Sequence, residues 1–147
     1  MQLTFSQIKA IKSFCEDLFS TPDWREVVEQ IADDETDFEV DNVRFIHTDS
    51  IDSVLADELE GDEYVLGCFN ANVIADVTGW PEVLIEAAKK GEAYKEIGEA
   101  LIDGGFVEAL AKAYSEADGY GHHFNSYDGN EEELNVNGSM FHVFDQH

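Results

Sequence analysis

The chain has 147 residues, 44% hydrophobic and 12% aromatic, so it is long and apolar enough to bury a core and its composition is not that of a disordered segment. Its 33 acids against 8 bases give a formal net charge of −25, which argues against direct binding to nucleic acid or anionic lipid. No run approaches the roughly 18 apolar residues of a membrane span, and the N-terminal segment reads as neither a signal peptide nor an anchor, so the expectation is a cytoplasmic protein.

Thr4 opens a capping box with Gln7, flanked by Leu3 and Ile8 as a hydrophobic staple, and predicts a first helix. Phe5, Ile8, Ile11, Phe14 and Leu18 recur at helical spacing and read as its buried face. A second helix is expected from Thr21, with Pro22 at the first helical position and Trp24, Val27, Val28 and Ile31 inward. The period then fails. Phe38 to Val40 and Val43 to Ile46 read as short extended segments around Asp41-Asn42. A third helix is expected from about Ser50 to Leu59, with Ile51, Val54, Leu55 and Leu59 inward and Asp52, Asp57, Glu58 and Glu60 outward, and Gly61 as its terminator.

The stretch from Asp62 to Asp76 is the least polar in the chain and predicts a central buried helix ending at Thr78-Gly79. Pro81 opens another helix, containing Val83, Leu84, Ile85, Ala87 and Ala88. Two more follow, separated by Gly104-Gly105, the first burying Tyr94, Ile97, Leu101 and Ile102, the second Phe106, Leu110, Ala113 and Tyr114. Beyond Gly119 the segments His122 to Tyr127, Glu133 to Val136 and Met140 to Phe144 read as strands, with Asp128-Gly129 and Asn137-Gly138 as hairpin turns. The expected fold is a single α+β domain over residues 1–147: six or seven helices with a small antiparallel sheet formed mainly by the C-terminal strands.

The chain carries no catalytic signature. His122 and His123, adjacent on an expected strand, would point to opposite faces and cannot readily share a metal. A cross-strand site joining them to His142 and Tyr127 is the sharpest enzymatic alternative. The acids around Asp128 to Glu133 fail the EF-hand register, because Phe124 would take the first ligand position. No GxSxG, HExxH or phosphate loop is present. Cys15 and Cys68 lie in apolar settings without metal spacing and read as buried, reduced thiols. The reading therefore assigns no catalytic residue, metal or cofactor.

What the chain does have is segregated charge. Fourteen acids lie between Glu29 and Glu63 against one base, Arg44. Duplex DNA carries a charge per roughly 1.7 Å of axis, so 25 charges match roughly 40 Å of duplex, close to the diameter of a compact domain of this length. The charge itself is thus the candidate functional group, borne by Asp33, Asp34, Glu35, Asp37, Glu39 and Asp41, then Asp52, Asp57, Glu58, Glu60, Asp62 and Glu63. The expected partner is a basic nucleic-acid-binding protein. Plain solvation, halophilic acidity and an acidic adaptor role are the competing readings.

Two stretches carry a resemblance: Leu66-Gly67-Cys68-Phe69-Asn70-Ala71 running on to Ala75-Asp76-Val77-Thr78-Gly79-Trp80-Pro81, and Asp118 to Leu134 with its GYGHHFNSYDGNEEEL. They resemble a group of small acidic proteins, largely uncharacterised, encoded by phages and other mobile elements, over residues from about Val43 to the end. These motifs read as structural and transfer no catalytic role. In charge and size the chain is also similar to DNA-mimic antirestriction and anti-CRISPR proteins. That similarity implies an inhibitor of a restriction-modification enzyme or CRISPR effector, acting in the host cytoplasm.

Overall fold

A computed structural model describes residues 1–125 and 128–146; Tyr127, with Ser126 and His147, lies outside the described residues. The chain is α+β. Its elements in order are α1 (Phe5–Asp17), α2 (Trp24–Ala32), β1 (Asp37–Val40), β2 (Val43–His47), α3 (Ile51–Glu60), α4 (Glu63–Gly67), α5 (Ala71–Thr78), α6 (Glu82–Lys90), α7 (Tyr94–Asp103), α8 (Val107–Asp118), α9 (Gly121–Phe124), β3 (Glu132–Val136) and β4 (Ser139–Asp145). They form two compact units. Unit 1 comprises Met1–Ile51 and Gly119–His147, and unit 2 comprises Asp52–Asp118.

Unit 1 is built on an antiparallel sheet in the order β1-β2-β4-β3. Two hairpins supply its outer pairs. Asp41-Asn42 closes β1–β2 with φ of 51° and 65°, and Asn137-Gly138 closes β3–β4 with φ of 51° and 90°. Positive φ at both central residues is what a two-residue turn matched to strand twist requires, and Asn, Asp and Gly tolerate it. Strand alternation then sorts the side chains by face. Phe38, Val40, Val43, Phe45, Leu134, Val136, Phe141 and Val143 form one core with Ile11 and Cys15 of α1 and Val27 and Ile31 of α2.

The capping box of α1 forms: the Thr4 hydroxyl accepts from the Gln7 amide at 3.2 Å, and Gln7 Oε1 accepts from the Thr4 amide at 2.8 Å. Phe5, expected on the buried face, is 83% exposed, whereas Leu3 before the helix and Ile11, Phe14 and Cys15 within it pack in the core. The second helix starts later than expected. Asp23, not Thr21, caps α2, accepting from the Arg25 amide, while Thr21 has a φ of 40° outside the helix.

The expected strand at His122 begins instead with α9, a single turn. Gly121 explains the difference: a Cβ there would lie 2.1 Å from the Gly129 carbonyl oxygen, so the chain folds back onto itself at this point. Asn125, buried, holds that fold by donating from Nδ2 to the Asn130 carbonyl at 2.7 Å and accepting from the Asp128 amide at 3.0 Å. Asp128-Gly129 is consequently a turn inside this loop and not a hairpin between strands.

In unit 2 the expected central helix divides in two. α4 ends at Gly67 and α5 begins at Ala71 after Asn70, whose extended backbone (ψ 138°) cannot continue a helix. Just before the division α4 crosses α7 closely. A Cβ on Gly67 would sit 1.8 Å from the Tyr94 carbonyl oxygen, and one on Gly98 would sit 1.7 Å from that of Glu63. Two glycines facing each other's backbone let these helices touch without side chains between them. Tyr64 and Tyr94 flank the crossing edge to face at 5.4 Å.

The thiols also separate. Cys15 is buried, and burial, with Asp23 and Glu16 adding to it, pushes its thiol up to about 12; Cys68, expected to be buried, is exposed beyond the end of α4. Cys68 should therefore react with a thiol reagent in the native protein at pH 8, while Cys15 should react only on unfolding; equal native rates would contradict the packing. Because the folded value of Cys15 lies above its ordinary one, its contribution to stability is complete below pH 9 and is lost as pH rises toward 12. Gly67→Ala and Gly98→Ala should each cost about 2–3 kcal/mol in denaturant unfolding, since backbone must move to admit a methyl group.

Candidate functional site

The charge divides almost evenly between the units. Unit 1 carries 17 acids and 4 bases, net −13; unit 2 carries 16 acids and 4 bases, net −12. The acidic stretch read from the sequence thus contributes to both units, six of the twelve singled-out acids belonging to each. All twelve are exposed except Glu63, which is half-buried.

These acids sit on ordered backbone. In unit 1, β1 alternates exposed Asp37 and Glu39 with buried Phe38 and Val40, so both carboxylates share one face about 7 Å apart along the strand. Asp33 is the C-cap of α2, and its amide donates to Glu29 and Ile31 carbonyls; Glu35 donates its amide to the Gln30 carbonyl at 3.1 Å. In unit 2, Asp52, Asp57, Glu58 and Glu60 occupy the exposed positions of α3, opposite buried Ile51, Leu55 and Leu59. Their backbone is fixed by the side chains packed beneath it.

The twelve are not equivalent, however. Several have structural partners. Asp34, in the left-handed region at φ 60°, pairs with the N-terminal amine at 3.0 Å. Asp37 accepts two bonds from Arg44, at 2.9 Å from Nε and 2.8 Å from Nη2, and the guanidinium also stacks 5.1 Å over Phe124. Asp41 accepts from the Asp23 amide at 2.9 Å, tying the β1–β2 turn to the start of α2. Asp62 caps α4 through the Val65 amide at 3.2 Å. By contrast the carboxylates of Asp33, Glu35, Glu39, Asp57 and Glu60 make no hydrogen bond or ion pair among the described residues. Spacing along the chain does not distinguish the twelve, since partners such as Arg44 for Asp37 depend on strand register.

Among the described residues His122, His123 and His142 do not converge on a shared metal set. His122 is exposed and His123 half-buried on α9. His142 is 7% exposed on β4, with Nδ1 2.7 Å from Glu131 Oε2, Nε2 3.3 Å from Thr48 Oγ1, and the Tyr120 ring at 5.1 Å. These contacts saturate both ring nitrogens and tie β4 to the loop before β3 and the segment after β2. Among the described residues no three His, Cys, Asp or Glu side chains converge as a metal set. No described helix is long and apolar enough to cross a membrane.

The division into structural and solvent-facing acids is testable. Asp37→Asn should lower unfolding stability by about 1 kcal/mol through loss of its bidentate partner, whereas Glu35→Gln should leave stability unchanged or raise it by relieving self-repulsion. Equal losses in a denaturant titration would contradict the division.

Comparison of the chain with protein-family models, with curated proteins and with solved structures gives no match.

Proposed function

We propose that the protein is a non-enzymatic inhibitor whose acidic surfaces enter the basic nucleic-acid channel of a host-defence enzyme, a restriction-modification enzyme or CRISPR effector. The observation that carries this reading is the presentation of the charge: the carboxylates of Asp33, Glu35, Glu39, Asp57 and Glu60 face solvent with no hydrogen bond or ion pair among the described residues, in the turn after α2, on β1 and on α3. A partner evolved to bind phosphates meets fixed negative charge there, with little conformational entropy left to lose on association. Complementary charge also accelerates encounter and makes binding depend on salt. The resemblance to acidic proteins of phages and mobile elements points the same way. In this reading the protein acts in the cytoplasm of the infected cell, binds no nucleic acid directly and uses no cofactor.

Asp33, Glu35, Glu39, Asp57 and Glu60 are the residues on which inhibition should depend, because they display charge without supporting the fold. Neutralising all five to Asn or Gln should weaken inhibition of the sensitive enzyme at least tenfold in a plasmid-cleavage or methylation assay across a panel of such enzymes, with circular dichroism unchanged. Undiminished inhibition by a folded variant would overturn the proposal, as would inhibition that does not weaken between 50 mM and 500 mM NaCl.

A further inference from the structure

In unit 2 the charge of α6 sets it apart from its neighbours. α3, α4, α5, α7 and α8 each carry a net negative charge, whereas on α6 Glu82 and Glu86 are balanced by Lys89 and Lys90. The order matters as much as the sum: the acids lie in the first half of the helix and the bases at its end. At 100° per residue Ile85, Ala88 and Lys89 share one side, and these are its buried and half-buried positions. Lys89 is committed on that side, its ammonium donating to the Cys68 and Phe69 carbonyls.

The opposite side is open. Val83, Ala87 and Lys90 form its centre, with Leu84 along one edge and Glu82 and Glu86 along the other, all of them exposed. Val83 is 75% and Leu84 65% exposed, the two most exposed large aliphatic side chains among the described residues. Keeping an adjacent pair of that size in water is unfavourable, so covering it stabilises whatever complex does so. Glu82, Glu86 and Lys90 make no hydrogen bond or ion pair among the described residues.

We propose that this face pairs with the same face of a second copy, α6 against α6, antiparallel about a twofold axis. A twofold contact must be self-complementary, and the order of charge on α6 makes it so. Centred near Ile85, the pairing sets Val83 of each copy against Ala87 of the other, with Leu84 closing one edge. Along the other edge, Glu82 of each copy comes within two residues of the other's Lys90, roughly 3 Å along the axis. A basic partner would be repelled by Lys90, and an acidic one by Glu82 and Glu86; a helix with the same order of charge answers both. Elsewhere two chains of net charge −25 repel each other. Nine residues span about 14 Å and cover less than the roughly 800 Å² per partner of a stable complex, so the dimer is weak and reversible. It is independent of what the acidic surfaces bind.

The test is sedimentation equilibrium of the full chain, at loading concentrations up to 1 mM, in 50, 150 and 500 mM NaCl. A monomer–dimer equilibrium is expected, with Kd on the order of 100 μM at 150 mM NaCl. It should tighten at least threefold at 500 mM, because salt screens the repulsion between whole chains more than it weakens two exposed ion pairs. Val83→Ala with Leu84→Ala, exposed changes to a good helix former, should weaken it at least tenfold with circular dichroism unchanged. Lys90→Glu and Glu82→Lys each set like charges together at both ends of the pairing and should weaken it. An equimolar mixture of those two variants restores opposite charges at both ends and should associate more tightly than either alone. A monomer throughout, a dimer untouched by the alanine pair, a dimer that loosens as salt rises, or a mixture no tighter than its components would overturn the proposal. So would shifts of the Val83 and Leu84 methyl resonances that appear only on adding an enzyme the protein inhibits, which would assign the face to that partner. None of these variants touches the five acids of the enzyme assay, so either experiment can fail and leave the other standing.

Discussion

Self-repulsion is the constraint under which everything else in this chain is arranged. A net charge of −25 on 147 residues opposes compaction, and only eight basic side chains are available to offset it. Both units carry nearly the same burden, so each has to hold together against it. Unit 1 does so with a sheet whose apolar face is closed by Ile11, Cys15, Val27 and Ile31. Unit 2 has no sheet and relies on helix contact, tightest where Gly67 and Gly98 bring the α4 and α7 backbones together.

The scarce cations are placed where they do most for the fold. Arg44 neutralises Asp37 in a bidentate, partly buried pair and covers Phe124. The N-terminal amine ties Asp34 and the Ala32 carbonyl at the end of α2. In unit 2 Lys89 reaches back to the Cys68 and Phe69 carbonyls beyond the end of α4, where the unsatisfied carbonyl ends of a helix favour a cation. Cations so committed leave Asp33, Glu35, Glu39, Asp57 and Glu60 facing water with their charge intact.

Much of this was legible in the sequence because it is written locally. The Thr4–Gln7 capping box, the Asn137-Gly138 hairpin and the outward acids of α3 follow from spacing alone, and all appear as expected. What was not legible depends on residues far apart in the chain. Nothing local to Gly67 announces that Tyr94 lies against it. His122-His123-Phe124 has strand-like composition, yet Gly121 must meet the Gly129 carbonyl, and a helical turn results.

The central claim is that fixed carboxylates substitute for phosphates in a nucleic-acid channel. Its most direct measurement is equilibrium competition, by fluorescence anisotropy, between the protein and a labelled duplex for an enzyme that the protein inhibits, repeated across NaCl concentrations. The account predicts mutually exclusive binding, complete displacement of the duplex at saturation, and an affinity for the protein that falls steeply as salt rises. A stable ternary complex of enzyme, duplex and protein, with affinity indifferent to salt, would contradict it.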